Sequence, residues 1–131
     1  MRGWLAKLLG DAGERKATRY LRRKGYRIIA RQYSNHIGEI DLIALDGETI
    51  VFVEVKTRRS DSAGRPEEAV TQSKQAKLTR TALVYLKKNG LLEQRARFDV
   101  VAIIWAPESR SPEIRHIRNA FTPTESGQMF A

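Results

Sequence analysis

The spacing of apolar residues changes along the chain, and each change predicts an element of secondary structure. Apolar residues that alternate or run together predict four strands, at residues 26–33, 39–45, 48–56 and 97–105, and a weaker alternation makes residues 113–117 a candidate edge strand. Apolar residues three or four positions apart predict two helices: residues 12–24 and about 68–89. The predicted order is a helix, three strands, a helix and a strand, and residues 113–117 are a candidate edge strand that follows them.

The strand over residues 48–56 has apolar side chains on both faces, which is typical of a central strand covered by helices on both sides. A helix of crossover length joins it to the strand over residues 97–105, so these two strands are expected to be parallel. The chain is therefore predicted to have an α/β fold, with a mixed central sheet and flanking helices. Its 131 residues fit a single domain, with residues 122–131 as a tail.

The dipeptide Asp46-Gly47 separates two of the predicted strands, a combination typical of a tight β-hairpin. If these two residues form the loop, the strands pair antiparallel with Glu39 opposite Glu54. Side chains opposite each other, and side chains two residues apart on one strand, share a face of the sheet. Four charged side chains are therefore expected together on one face: Glu39, Asp41, Glu54 and Lys56.

Three carboxylates on one face repel each other, and one lysine cannot neutralise all of them. A hard divalent cation would make the arrangement favourable, because Mg²⁺ and similar ions take oxygen ligands from one or two carboxylates and leave room for water and a phosphate. The pattern therefore indicates a metal site. In the alternative interpretation, Glu54 and Lys56 form only an edge ion pair, which leaves Glu39 and Asp41 unexplained.

The composition favours a polyanionic partner, because the formal net charge is +9 and the isoelectric point is near 10.3. Nucleic acid is the usual partner of such a chain, while an anionic membrane or an acidic protein is less usual. A charge that serves only solubility is the alternative. The chain has no cysteine, so only oxygen and histidine ligands remain for a metal.

Two basic segments are candidates for phosphate contacts. The first predicted helix presents a face of one sign, which consists of Arg15, Arg19, Arg22 and Arg23. The polar loop over residues 57–66 adds Arg58, Arg59 and Arg65. Arginine side chains suit bidentate contacts with phosphates, although an ordinary solvated surface is the alternative for each arginine of the helix.

The sequence also carries signals about location. No apolar run approaches the ~18 residues of a transmembrane helix. The apolar N-terminus is interrupted by Lys7 and is not followed by a small-residue cleavage site. The absence of cysteine suits a reducing cytosol. We therefore expect a cytoplasmic protein with no membrane partner.

Several segments resemble known protein families. Asp41, followed after a gap by Glu54-Val55-Lys56, matches the D…(D/E)xK signature of the PD-(D/E)XK nuclease superfamily, with Ile40 where many members carry proline. The chain is more similar still to the small bacterial YraN-like family, which resembles the archaeal-type Holliday junction resolvases. The matching segments are GERKATRYLRRKGYRIIARQY, GEIDLIA, VFVEVKTR, EEAVTQSKQAKL and RFDVVAI, which begin at residues 13, 38, 51, 67 and 97.

This resemblance implies a restriction-endonuclease-like core in the order αβββαβ. It also implies a metal-dependent endonuclease that hydrolyses DNA phosphodiesters, with branched or junction DNA as a candidate substrate. Mg²⁺ or Mn²⁺ would be held by Asp41, Glu54 and the backbone carbonyl of Val55. Lys56 would orient the attacking water or neutralise developing charge, and Glu39 would assist through water or a second ion. A homodimer is a further expectation, because resolvases act on two symmetric strands.

Further residues take candidate roles from the resemblance. Glu14 matches a glutamate of the first helix that resolvase-like nucleases place beside the metal, and its alternative role is to complete a helix cap that begins at Asp11. Many members of the superfamily direct a polar or basic side chain from the second helix to the scissile phosphate, which makes Gln72 and Lys74 candidates. His36 and Lys77 are interpreted as solvated surface residues.

A second class of function stays open at this point. The chain could be a nucleic-acid-binding module that retains the nuclease fold without turnover, or its acids could only fix a structural ion. A role at a membrane surface or as a protein adaptor is a weaker third interpretation. Metal-dependent cutting of DNA would indicate the enzyme, and salt-sensitive binding without cutting would indicate the module.

Overall fold

The computed structural model describes residues 2–59, 70–106, 108 and 110–123, with side chains from residue 7 onward. Seven elements follow each other along the chain: α1 (Arg2–Arg23), β1 (Arg27–Ser34), β2 (Glu39–Asp46), β3 (Thr49–Arg58), α2 (Gln72–Lys88), β4 (Ala96–Ile104) and β5 (Glu113–Ile117). The predicted order of helices and strands is confirmed. Arg65 and residues 124–131 of the predicted tail lie outside the described residues.

The five strands form one mixed sheet in the order β1-β2-β3-β4-β5. The strands β1, β2 and β3 are antiparallel neighbours, β3 and β4 are parallel, and β5 pairs antiparallel with β4 at the edge. The parallel pair is joined by α2, as the crossover length predicts. This is the α/β fold with a mixed sheet that the sequence indicates.

The central strand β3 has buried side chains on both faces, as predicted. On one face, Ile50 and Phe52 belong to an apolar cluster with Leu78, Ala82 and Leu86 of α2. On the other face, Val51 and Val53 belong to a cluster with Ala17 and Leu21 of α1. Full burial of one such large apolar side chain contributes about 1.5–3 kcal/mol, so the two helices are held mainly by their contacts with the sheet.

The turn between β2 and β3 differs from the prediction. Asp46 pairs with Thr49, so the two loop residues are Gly47 and Glu48, and Asp46 remains in the strand. Gly47 has a φ of +61°, and glycine is preferred at the first loop position of a hairpin turn that requires positive φ there. The carboxylate of Asp46 accepts a hydrogen bond from Arg97 Nη2 (3.0 Å), which gives it a tertiary contact within the sheet.

The helix α1 is longer than predicted. It begins at Arg2 rather than at residue 12, so Asp11 lies within the helix and does not cap it. The predicted end is confirmed, because Gly25 follows the helix with a φ of +92°. The N–H of Tyr26 donates to the carbonyl of Leu21 (2.9 Å), which is the bond that closes a helix ending in a left-handed glycine.

The helix α2 begins at Gln72, a few residues after the predicted start near residue 68. Thr71 caps it with an extended backbone, and its hydroxyl accepts a hydrogen bond from the N–H of Lys74 (3.2 Å). The predicted end is confirmed, because Asn89 and Gly90 follow the last helical turn. Among the described residues, neither helix is long and apolar enough to cross a membrane.

A buried ion cluster on the α1 side of the sheet was not predicted. Asp99 of β4 is 0% exposed and accepts hydrogen bonds from Arg97 Nε (2.9 Å) and from the N–H of Asn119 (3.0 Å), while His116 Nε2 lies 2.7 Å from its other oxygen. Burial alone would raise the pKa of Asp99, but the hydrogen bonds from His116 and Arg97 outweigh it and lower the pKa. Because Arg97 also contacts Asp46, the cluster joins the hairpin, β4 and the β5 edge.

Asp99→Asn is expected to lower the free energy of unfolding by about 3–5 kcal/mol at pH 7, because it leaves Arg97 and His116 without their carboxylate. Urea denaturation measures this loss. A depressed carboxyl pKa stabilises the fold above the unfolded pKa, and this stabilisation is lost as the pH falls through the folded pKa. The difference between the variant and the wild type should therefore narrow in acid.

The matched control for this experiment is Glu113→Gln, which removes an exposed ion pair with Arg115. An exposed pair contributes little, so the control should cost less than about 1 kcal/mol. Equal stability of Asp99→Asn and the wild type at pH 7 would contradict a structural role for the cluster.

Candidate active site

Asp41 and Glu54 meet where the ladder between β2 and β3 ends. The last pair of the ladder is Leu42 with Val53, and extending that register by one residue puts Asp41 opposite Glu54. The predicted pairing of Glu39 with Glu54 is therefore wrong by two residues. Because side chains on a strand repeat with a period of two, a shift of two still places Asp41 and Glu54 on the same face.

The carboxylate of Asp41 is fixed by the neighbouring strand. Its Oδ2 accepts a hydrogen bond from the N–H of Val55 (2.8 Å), just beyond the end of the backbone ladder. The alternation of β2 is interrupted here, because Ile40 and Ile43, three residues apart, both pack in the cluster on the α2 side. Asp41 consequently borders three clefts. One is lined by residues of α2, and the other two include Glu14 of α1: the second cleft, which also includes Thr57, and a third, which also includes Glu39.

The largest of these clefts, called here the main cleft, has a volume of about 700 Å³. Its walls are the loop between β1 and β2, the charged ends of β2 and β3, and the first two turns of α2. The charged and titratable side chains that line it are His36, Glu39, Asp41, Glu54, Lys56, Lys74 and Lys77. The structure therefore brings the four predicted charged residues to one cleft and adds three basic residues to them.

The loop between β1 and β2 is fixed against α2 by Asn35. Its Oδ1 accepts hydrogen bonds from the N–H groups of Ile37 (2.9 Å) and Gly38 (3.4 Å), and its Nδ2 donates to the carbonyl of Thr81 (3.1 Å). A Cβ atom on Gly38 would lie 2.9 Å from Thr81 Oγ1, so glycine permits the close approach that the sequence predicts at this position. These contacts hold one wall of the main cleft in place.

The charge of Glu54 and the burial of the site disfavour the ionisation of Asp41. Burial, the charge of Glu54 and a hydrogen bond with Glu54 raise the pKa of Asp41 to about 7, and the more distant Glu14 adds to the effect. The N–H of Val55 acts in the opposite direction, but it does not compensate. Near neutral pH, Asp41 is therefore balanced between its protonated and ionised forms.

Two lysines lie beside Glu54, which is only 8% exposed. Lys56 Nζ is 3.8 Å from Glu54 Oε2, and Lys74 Nζ forms an ion pair with the same oxygen. Burial and the neighbouring Lys74 lower the pKa of Lys56. Burial acts in the same direction on Lys74, but its hydrogen bond to Glu54 outweighs burial and raises the pKa of Lys74. Lys74 therefore contacts a carboxylate, a role that the sequence did not predict for it.

Glu14 lies on the α1 side of Asp41, in the middle of a helix rather than at its start. A Cβ atom on Gly13 would overlap Thr57 Oγ1, so the glycine lets α1 approach β3 closely beside Glu14. Burial and the charge of Asp11 raise the pKa of Glu14. Glu14 borders the second cleft, which it shares with Asp41.

The donor set suits a divalent cation held by two carboxylates rather than by a larger cage. In the part of the chain that the structure describes, no group of three or more histidine, aspartate or glutamate side chains is arranged to hold a metal ion. Glu39 lines the main cleft but is exposed, and Glu14 borders the second cleft. Asp41 and Glu54 are therefore the two carboxylates that could hold one cation together. Mg²⁺ commonly uses one or two carboxylates together with water and phosphate oxygens.

The predicted phosphate-contact residues are more widely distributed. The arginines of α1 are exposed: Arg15, Arg19, Arg22 and Arg23. Arg58 ends β3, Arg59 follows it at the surface, and Gln72 is exposed at the start of α2. None of these described side chains lines the main cleft, whereas His36 and Lys77, which the sequence analysis interpreted as solvated surface, do line it.

Comparison with known sequences identifies a family. A model of the uncharacterised protein family UPF0102 matches residues 13–103. The chain belongs to this family. A UPF0102 protein of Geotalea uraniireducens is 49% identical over 115 residues, which cover 88% of this chain and 90% of that protein. UPF0102 proteins of Geobacter sulfurreducens (50% over 116 residues, covering 88% and 89%) and Alkaliphilus metalliredigens (48% over 117 residues, covering 89% and 100%) are similar.

The UPF0102 match spans the segments that build the main cleft. Residues 13–103 include Glu14, the hairpin that carries Asp41 and Glu54, and the turn of α2 that carries Lys74. The N-terminal part of α1 and the strand β5 lie outside it. The family name carries no activity, so the function has to be argued from the chemistry of the cleft.

Asp41→Asn is expected to stabilise the protein by about 0.5–2 kcal/mol at pH 8 in the presence of EDTA. The folded carboxyl has a pKa of about 7 and the unfolded one about 3.9, so the folded state binds the extra proton between these values. The stability contributed by Asp41 is therefore present in acid and is lost as the pH rises through about 7. Asparagine keeps an acceptor for Val55, and urea denaturation at pH 5 and pH 8 should show the larger advantage at pH 8.

The control for this experiment is Glu39→Gln, a change of the same kind at an exposed position of the same strand. It should alter stability by less than about 0.5 kcal/mol at both pH values. A lower stability of Asp41→Asn than of the wild type at pH 8 would contradict the repulsion between the two carboxylates.

Proposed function

We propose that this UPF0102 protein is a metal-dependent endonuclease that hydrolyses DNA phosphodiesters. The observation that carries the proposal is the pair of adjacent carboxylates, Asp41 and Glu54, with Lys56 on the same strand and an open cleft of about 700 Å³ above them. Two carboxylates and a lysine in this order also form the signature of the PD-(D/E)XK nucleases, which the sequence resembles. The geometry and the resemblance support the same reaction.

Asp41, Glu54 and the backbone carbonyl of Val55 are the proposed ligands of Mg²⁺ or Mn²⁺. A bound divalent cation lowers the pKa of a coordinated water and offsets charge on phosphoryl oxygens. The chain supplies the rest of the site: β2 and β3 hold the two carboxylates side by side, and the N–H of Val55 orients the carboxylate of Asp41. Glu39 and Glu14 are proposed to assist through water from the main and the second cleft.

Lys56 is proposed to act as a hydrogen-bond donor in the reaction. It lies two residues after Glu54 on the same face of β3, and its ammonium group is 3.8 Å from Glu54 Oε2. From this position it can donate a hydrogen bond to the attacking water or to a phosphoryl oxygen whose negative charge grows in the transition state. The lowered pKa of Lys56 means that it gives up a proton more readily than an ordinary lysine.

DNA is the proposed substrate because the chain carries a formal charge of +9 and exposes arginines along α1. Such residues attract phosphates without reading sequence, so the binding should weaken as salt is added. The resemblance to archaeal-type Holliday junction resolvases makes branched DNA the first substrate to test.

A homodimer belongs to the same proposal, because two symmetric strands are cut most simply by two sites related by a two-fold axis. The proposed location is the cytoplasm.

The second candidate is a nucleic-acid-binding module without turnover. The ion pair between Lys74 and Glu54 favours it, because this lysine already compensates a carboxylate that would otherwise need a cation. The enzyme remains our first choice, since Asp41 is adjacent to Glu54 and has a raised pKa even with both lysines nearby.

Glu54→Gln is expected to reduce cleavage at least about 100-fold, because it removes one of two proposed metal ligands and leaves the strand intact. The assay uses a four-way junction, a flap, a linear duplex and a single strand, each with Mn²⁺, with Mg²⁺ or with EDTA. DNA affinity in EDTA should change less than about threefold, because the exposed arginines supply most of it.

The matched control is Glu48→Gln, the same change at an exposed position of the β2–β3 turn, and it should cut as the wild type does. Cleavage by Glu54→Gln at the wild-type rate would refute the assignment of the site. Salt-sensitive binding by the wild type, with no cutting of any substrate in either metal, would favour the binding module.

A further inference from the structure

Lys74 occupies the side of Glu54 that faces the main cleft. Its ammonium group forms an ion pair with Glu54 Oε2, the same oxygen that lies 3.8 Å from Lys56 Nζ. The side chain of Lys74 is 40% exposed, whereas that of Glu54 is 9% exposed. A carboxylate that is a proposed metal ligand is therefore already paired with a cationic group that can reach solvent.

The charges at this point are balanced without a metal. When all four groups are ionised, Asp41 and Glu54 contribute two negative charges, and Lys56 and Lys74 contribute two positive charges. Addition of a divalent cation would place a local excess of positive charge in a site of low exposure, where such interactions are strong. One ammonium group has to move away, or an anion has to enter with the cation.

Lys74 is better placed to move than Lys56. Lys56 lies on the central strand and its side chain is 25% exposed. Lys74 lies in the first turn of α2, and its more exposed side chain can swing toward solvent or toward a phosphate on four flexible methylene groups.

We infer that Lys74 is an internal counter-ion that competes with the divalent cation for Glu54 and is drawn off by a phosphodiester of the bound nucleic acid. This inference rests on the proposed function and adds a regulation of the same site. The free protein binds the cation weakly, and the phosphate that accepts Lys74 makes cation binding favourable. Cation and nucleic acid then increase each other's affinity by the same factor, as linkage requires.

The test is calorimetric titration of Mn²⁺ into the nucleic-acid-free protein, which needs no catalysis. Lys74→Met keeps an unbranched side chain of similar length and removes the charge, so it should bind Mn²⁺ about tenfold more tightly than the wild type. Lys87→Met, the same change at the exposed far end of α2, should bind as the wild type does. Thermal unfolding in EDTA verifies that both variants are folded.

A second titration measures the coupling itself. The affinity for a short DNA duplex is measured with and without Ca²⁺, which occupies oxygen sites in place of Mg²⁺. Ca²⁺ should tighten DNA binding about tenfold in the wild type and in Lys87→Met, and by a smaller factor in Lys74→Met.

The outcomes separate this inference from the proposed function. Tighter Mn²⁺ binding by Lys74→Met, or binding by this variant alone, supports the inference. Unchanged or weaker Mn²⁺ binding by Lys74→Met overturns it, and cleavage by the wild type would then leave the proposed function standing. If neither protein binds Mn²⁺ and the wild type does not cut DNA, both fail.

Discussion

Asp41 and Glu54 lie side by side where the β2–β3 ladder ends, and two negative charges at that separation repel each other. The surrounding side chains reduce this repulsion in different ways. The N–H of Val55 donates to Asp41, two ammonium groups approach Glu54, and the pKa of Asp41 rises so that a proton can be retained. Each of these is a partial answer, because the two carboxylates remain close and largely shielded from solvent. A divalent cation would bridge both carboxylates once Lys74 has moved away from Glu54, which is the physical reason for the proposed metal.

The opposite face of the sheet shows what full compensation looks like. Asp99 of β4 is completely buried, yet its pKa is lowered, because Arg97, His116 and the N–H of Asn119 all point at its oxygens. A carboxylate whose charge is compensated by these partners stabilises the fold and does not need a metal ion. The contrast with Asp41 separates a structural acid from a candidate functional one, since perturbed and unsatisfied groups are typical of sites that bind or react. The ion cluster also joins β2, β4 and β5 behind the site, and such cross-strand contacts help to keep two repelling groups together.

Much of the fold could be predicted because its signals are local. The spacing of apolar residues predicted the order of the elements. The strand at residues 48–56 has apolar side chains on both faces, which indicated that it lies at the centre of a sheet covered by helices. The hairpin register was wrong by two residues, because the positive φ belongs to the first loop residue, Gly47, and Asp46 is held in the strand by Arg97. The face of each carboxylate was still correct, since only a shift by an odd number would have turned them over.

Contacts between distant segments could not be predicted in the same way. The ion pair of Lys74 with Glu54 depends on how α2 lies on the sheet, and nothing in the spacing of α2 residues fixes that position. The cluster around Asp99 requires a histidine from β5, although an aspartate inside the apolar segment RFDVVAI was a usable signal. The start of α1 was misplaced because Asp11 resembles a cap, whereas the helix already extends through it from Arg2. Local patterns thus gave the scaffold and the carboxylates, while the partners of the charges came from the tertiary structure.

The distribution of charge explains why the proposed binding of nucleic acid and the proposed hydrolysis should depend on different residues. The main cleft has three carboxylates, Glu39, Asp41 and Glu54, and three lysines, so its formal charge is balanced despite the net charge of +9. The described arginines that carry the excess lie at the surface outside this cleft. Exposed charges act over a screening distance of about 8 Å at physiological salt, so they can hold a nucleic acid near the surface without drawing a phosphate onto buried carboxylates. A phosphodiester that reaches Asp41 and Glu54 needs a local positive charge there, and the two sources that the site allows are a divalent cation and the ammonium groups of its lysines.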